Sequence, residues 1–224
     1  MISINNISEL LKIGNDSLFP LDATYILSQD IIIEDNIDFT PIGNEDNPFR
    51  GVFDGSNHKI TNLTINKSRT SFIGLFGYLE YTSKVINLIL ENAKIEGFYH
   101  VGSISGSNSG EILNCQSINC TIVGDTNVGG IVGSNYEGLV EECQYNGSVL
   151  GNYCVGGIAG LNMYGKVKLC NTVGSIIGSF RVGGCVGDSY ESCVIGCYSK
   201  CLTSSSDNSG NLIGLSHSKI DLSF

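Results

Sequence analysis

The stretch that decides the fold is VGGIVGSNYEGLVEECQYNGSVLGNYC, residues 128–154. It runs directly into VGGIAGLNMYGKVKLCNTVGSIIGSFR and then into VGGCVGDSYESCVIGCYSKCLTSSSDN. Val101, Val128, Val155, Val182 and Ser209 stand 27 residues apart, and each opens a hexad: VGSISG, VGGIVG, VGGIAG, VGGCVG, SGNLIG. A looser copy, FIGLFG at 72–77, precedes Val101 by 29 residues.

A fixed period of this size means stacked structural units. Within each unit the apolar segments are short, rich in β-branched residues, and punctuated by Gly, Asn and Ser, the pattern of strands and tight turns. Nothing in residues 72–224 sustains a helical period over ten residues. A unit with three such segments describes one turn of a parallel β-solenoid, each coil bonded to the next at ~4.8 Å. Equivalent residues then stack into ladders. Ile112, Val140, Val167 and Val194 form one series. Cys115, Cys143, Cys170 and Cys197, three residues further on, form another, with a one-residue gap in the first copy. Asn87 takes the cysteine's place in the earliest copy. Both series suit a narrow interior, where cysteine acts as a small buried hydrophobe. Val140 and Cys143 are an odd number of residues apart, so both face inward only if the backbone turns a corner between them. The glycines of the hexads allow close backbone approach or positive φ. No helix pattern and no Lys-Ser or Lys-Thr follows them, so they are not a nucleotide-cradling loop.

The 224 residues read as one domain: an N-terminal helical cap over 1–20, irregular first coils over 21–71, and repeats of about 27 residues over 72–224. In NISELLKIG, 6–14, Ile7, Leu10 and Leu11 share a helical face and Gly14 is a stop signal. A helix there would cover the apolar core and the unpaired strand edges of an open solenoid end. FRGVFDGSNHKITNLTI, 49–65, reads as strand, Asp-Gly turn, strand, with Phe49, Phe53, Ile60, Leu63 and Ile65 as core candidates. At the other end Ile220, Leu222 and Phe224 alternate with polar residues, a half-buried strand expected to fold across the opening. The class is therefore all-β, a parallel β-helix of about seven coils and roughly 35 Å long.

The order TPIGNEDNPFRGVFDGSNHKITNLTI, then GLFGYLE, then repeated VGGIVGSNYEGLVEECQYNGSV resembles the GLUG-repeat family, over roughly residues 8–215. These repeats occur in bacterial surface and secreted proteins, including non-catalytic parts of some IgA-cleaving metallopeptidases. The resemblance implies a right-handed parallel β-helix with adhesion or spacer roles, and brings no catalytic residue with it. The chain departs from the pattern in its five cysteines outside the ladder position and in its N-terminus, which lacks the basic and apolar regions of a signal peptide. As it stands the chain reads as cytoplasmic, while the resemblance points to the cell surface or secretion.

The formal charge of −10 and the lack of a basic stripe exclude a phosphate-backbone partner. No apolar run reaches the ~18 residues of a membrane span. Nine cysteines, an odd number without a CxxC pair, are not needed as staples in a chain of this size, although adjacent ladder cysteines come within disulfide reach; Cys193, Cys197 and Cys201, spaced four apart, fall in a strand-and-turn repeat and are not read as a zinc site. Glu137 and Glu191 share a repeat position two coils apart, and Glu141 and Lys168 would form a weak surface pair on adjacent coils. Asp125 and Asp188 have no stacked partner, Asp54 and His58 belong to the Asp-Gly turn, and His100 and His217 stand isolated. HExxH and GxSxG are missing. No catalytic, cofactor-binding or metal-binding residue is assigned, and no cofactor is expected. The candidate partner surface is aromatic: Tyr136, Tyr164 and Tyr190 near one corner, with Tyr145 and Tyr198 near the next. The expected function is a monomeric, non-enzymatic binding or adhesion module that presents a Tyr/Asn/Ser-rich lateral surface to a protein or glycan. The alternatives are a polysaccharide-active β-helix enzyme and a cytoplasmic interaction scaffold.

Overall fold

The structure is a computed structural model that describes residues 1–34 and 37–217. The chain is a parallel β-solenoid of about eight coils, with four sheets running along the stack. Sheet I holds eight strands among the described residues, from Ile2–Ile4 and Thr24–Leu27 to Lys166–Lys168 and Cys193–Ile195. Seven steps of ~4.8 Å make it about 34 Å long. The extra coil beyond the expected seven comes from the N-terminus. Ile2–Ile4 is already a sheet strand, with Ile2 in register with Tyr25. The helix is a single turn, Ile7–Leu10, rather than the longer cap expected. The Asn6 side chain caps it by accepting from the Glu9 N–H at 3.0 Å, and Gly14, at φ +79°, ends the segment. Leu10 and Ile13 are buried against the core.

The repeat register is as the period predicts. Val101, Val128, Val155, Val182 and Ser209 are successive partners in sheet III, whose strands include Thr126–Gly129, Tyr153–Gly156 and Phe180–Gly183. Ile73, not Phe72, is the partner of Val101, so the oldest hexad is offset by one residue from the reading above. Val85, Ile112, Val140, Val167 and Val194 form one buried ladder in sheet I. Each such valine withdraws apolar surface worth roughly 1.5–3 kcal/mol.

A corner does separate this ladder from the cysteines. Asn87, Asn114, Glu142 and Leu169 have φ between 50° and 55°, and Gly196 has φ 61°. This left-handed residue turns the chain so that the next side chain also faces inward. The register of Val85 with Ile112 sets Asn87 against Asn114, and their side chains are hydrogen-bonded at 2.9 Å. Leu88, not Asn87, therefore holds the cysteine position in the earlier coil, and it is fully buried. Each ladder thiol lies near two carbonyls, one two residues back and one a coil earlier. For Cys143 these are Glu141 O at 3.3 Å and Ile112 O at 3.5 Å. Cys115 and Cys170 repeat the arrangement.

Sheet II changes character along the stack. The early coils break at the left-handed Asn62 and Asn92, and in the next coil Gln116–Val123 runs as one strand with a bulge at the left-handed Asn119, where the register shifts between Ile118 and Cys120. From Gln144–Leu150 onward the strands run unbroken, as in Asn171–Ile177 and Tyr198–Ser204. Tyr145 sits in the interior of this sheet, between Ser117 and Thr172.

Sheet IV contains Ser105–Asn108, Val132–Tyr136, Ala159–Met163 and Val186–Tyr190. Its inner face carries a buried amide ladder. Asn108 donates to Asn135, and Asn135 to Asn162, each at 2.8 Å. Sheets III and IV pack backbone to backbone. A β-carbon on Gly133 or Gly160 would stand 2.4 Å from the backbone nitrogen of Val101 or Val128, which is why the last residue of the hexad is glycine. Asp54 shapes its turn as expected, accepting from the Ser56 N–H at 2.8 Å. The C-terminal strand expected at Ile220, Leu222 and Phe224 lies outside the described residues. No helix among the described residues is long and apolar enough to cross a membrane.

Candidate functional site

The close packing of sheets III and IV leaves a groove along one lateral face. Its floor is the outer face of sheet IV, where Ser134, Leu161 and Asp188 are in register, as are Tyr136, Met163 and Tyr190 two residues further on. Its wall begins with a second ladder, at the residue before each member of the Ile73–Val101–Val128–Val155–Val182–Ser209 series. Phe72, His100, Asn127, Cys154, Arg181 and Asn208 all have φ between 52° and 60°. Left-handed backbone is costly for such side chains, and its recurrence in six coils makes it a built feature of the fold.

The ladder changes chemistry along the stack. Phe72 stacks on His100 at 4.7 Å with planes 4° apart, and His100 Nδ1 lies 2.7 Å from Ser134 Oγ. Burial holds the His100 pKa below its ordinary value. In later coils Arg181 Nη1 donates to Asp188 Oδ2 at 2.6 Å, and the Cys154 thiol lies 4.0 Å from the same oxygen. The Asp188 side chain is only 6% exposed, and Arg181 is the cation paired with it. Among the described residues its other oxygen, Oδ1, has no hydrogen bond, and His217 Nε2 stands 3.5 Å away. Burial, with Asp188 adding to it, pushes the Cys154 thiol up to about 11, so it is protonated at neutral pH and not a nucleophile. Tyr153 and Phe180 complete the wall, with ring centroids 4.8 Å apart and planes 9° apart. The groove bounded by these residues, Leu161, Met163 and Asp207 has a volume of about 550 Å³.

Beyond Met163 the groove opens onto a ledge of tyrosines. Tyr136 and Tyr164 meet edge to face at 5.9 Å, and Tyr164 and Tyr190 at 5.8 Å. Tyr136 is 44% exposed and Tyr164 43%. The three rings come together, but not from one repeat position. Met163 is the partner of Tyr136 and Tyr190, while Tyr164 occupies the next place, between Glu137 and Glu191. Those three residues form a left-handed corner, with φ of 59°, 56° and 43°. Partial desolvation, then the charge of Glu191, raises the Tyr164 phenol above its ordinary pKa.

Two expected surface tyrosines do not join the ledge. Tyr145 is buried, its hydroxyl 3.0 Å from Cys120 O and 2.9 Å from Ser148 O. Strand alternation places it inward with Ser117 and Thr172. Tyr198 is exposed, but it belongs to sheet II, in register with Asn171. Asp188, which looks isolated in the sequence, lines the groove; His217 stands 3.5 Å from its Oδ1, and His100 belongs to the same left-handed ladder in an earlier coil. The signal for this was present: His100, Asn127, Cys154 and Arg181 recur every 27 residues, each directly before a hexad. Glu141 and Lys168 are register partners, as expected.

No family model matches the chain. Halomucin of Haloquadratum walsbyi is 33% identical over 122 residues, which is 50% of this chain and 1% of that protein. A "Putative Gly-rich membrane protein" of Evansella cellulosilytica is 38% identical over 77 residues, 33% of this chain and 9% of that protein. The chain thus spans a small fraction of the length of both relatives. Among solved structures, a Bacteroides ovatus protein named "putative immunoglobulin A1 protease" is similar with a TM-score of 0.77 and 20% identity, over 94% of this chain and 70% of that one. At that identity the likeness shows the fold.

Proposed function

We propose that the chain is a non-enzymatic β-solenoid module of GLUG-type repeats that holds a protein or glycan partner against its lateral groove and tyrosine ledge. The observation that carries this reading is the gathering of five aromatic rings, Tyr136, Tyr153, Tyr164, Phe180 and Tyr190, on one face of neighbouring coils. Tyrosine joins an apolar body to a polar tip at low entropic cost, which suits it to contact surfaces. The buried carboxylate of the groove is paired with Arg181, which supports a structural role for it. A role within a larger surface-associated protein is supported by the relative named as a membrane protein and by the short share of both relatives that the chain spans. The Bacteroides ovatus neighbour carries a name of the kind that GLUG-type repeats accompany.

The test is a panel of neutral, acidic and amino glycans together with a peptide array of mixed charge. It is run on the intact chain, on Tyr136→Ala/Tyr164→Ala/Tyr190→Ala, and on Tyr198→Ala. Binding lost in the triple variant and kept in Tyr198→Ala supports the reading. Binding that survives the triple variant, or product released from a polysaccharide, overturns it.

A further inference from the structure

We infer that the tyrosine ledge recognises cationic side chains, so that the partner is a polypeptide segment bearing lysine or arginine. This rests on the lateral face being the partner surface and names the chemistry it selects.

The ledge is made by an inserted residue. Asn108 pairs with Asn135, but Glu111 pairs with Leu139, so two residues turn the corner in one coil and three in the next. This is the one-residue gap visible in the sequence. The corner residue so gained is Glu137, and the same place in the following coils holds Tyr164 and Glu191. All three are exposed. Steps of ~4.8 Å put the two carboxylates about 10 Å apart, bracketing the phenol ring. A cation seated beside Tyr164 meets a carboxylate and an aromatic ring together, the two groups that attract ammonium and guanidinium.

Among the described residues the two carboxylates have no ion-pair partner, whereas Glu80, Glu91 and Glu111 are each ion-paired, with Arg50, Lys59 and Lys84. The net charge of −10 draws a basic segment toward the molecule and repels acidic glycans and nucleic acids.

The experiment titrates the intact chain with a short peptide carrying several lysines, with the same peptide acetylated on every lysine, and with a neutral oligosaccharide. Binding is read by fluorescence anisotropy at low and at physiological salt. The lysine peptide is expected to bind, and acetylation to weaken it by about tenfold or more, since each binding cation loses its charge. Glu137→Gln/Glu191→Gln should weaken it by a similar factor. Glu45→Gln/Asp46→Asn, which removes the same charge from an exposed loop elsewhere, should change it less than about twofold if the site is local. Tyr164→Ala should lose binding and Tyr164→Phe keep it. Equal weakening in both double variants, or no binding of the lysine peptide, overturns the inference. Neutral oligosaccharide binding that Tyr164→Ala abolishes also overturns it, while leaving the ledge as the partner surface. If Tyr164→Ala changes the binding of no probe, both readings fail.

Discussion

Tyr145 and Gly130 share one place in the interior: a β-carbon on Gly130 would stand 2.4 Å from Cγ of Tyr145. The coils on either side solve the same problem with smaller groups. Ser103 meets Ser117 at 2.5 Å, and Thr172 donates to Gly184 O at 2.7 Å. The largest side chain of the ladder thus faces a residue with none.

Gly130→Ala should therefore destabilise the chain by about 2–3 kcal/mol through overpacking, because the new methyl group also meets Gly157 O at 2.1 Å. Tyr145→Phe keeps the volume but removes the hydroxyl from two carbonyls, at a cost of about 1 kcal/mol. Urea denaturation ranks the variants, and a Gly130→Ala chain as stable as wild type would refute the packing.

Val167 lies between Val140 and Val194, fully buried. Val167→Asp places an unpaired carboxylate in that ladder, costing several kcal/mol, and should prevent folding. Circular dichroism and a thermal melt decide it: a wild-type melt would mean that the ladder is wrong.

The nine thiols should divide by position. Cys193 is exposed, Cys197 and Cys201 are half-buried, and the other six are buried. Burial pushes the Cys143, Cys170 and Cys185 thiols well above their ordinary pKa, although neighbouring Cys197 contributes more to the rise at Cys185, and it takes Cys120 to about 11. Mass spectrometry after native alkylation should find three cysteines modified quickly and six only after unfolding. Rapid native modification of Cys143 and Cys170 would contradict their interior position.

How legible was this in the sequence? The ladders were, because a period of 27 states the register directly. The corner between Val140 and Cys143 was too, because two inward residues at odd spacing demand one. The groove was not. Its wall comes from one left-handed residue per coil, and Phe72, His100, Asn127, Cys154 and Arg181 share a backbone conformation but no chemistry. A reading based on residue type passes over a ladder whose members differ in charge and polarity. Tyr145 misled for the opposite reason: tyrosine suggests a surface, and only the strand phase set by Ser117 and Thr172 shows that it points inward.

His100 gives the chain a pH response. Its pKa is lowered in the folded state by burial between Phe72 and Ser134, so the unfolded chain binds the proton more readily. Stability should fall as pH drops through the unfolded-state value of about 6.5 and level off below the lower folded-state value. His100→Asn, which puts the Asn127 side chain type one coil earlier, should lose less in melting temperature between pH 7.5 and pH 5 than wild type does. Equal losses would assign the response to other groups.

From Val128 to Gly187 three successive hexads superpose residue for residue, and sheet II runs without the asparagine breaks of the earlier coils. A block of 27 residues taken there begins and ends at equivalent register positions. Duplicating or excising one such block recreates both junctions and moves the chain ends by a single ~4.8 Å step. The same operation on the coil containing Asn119 would join a bulged cross-section to a continuous one. Length is therefore gained or lost with the register kept in the half of the solenoid that carries the ledge, and each block added there would extend the row of corner side chains by one.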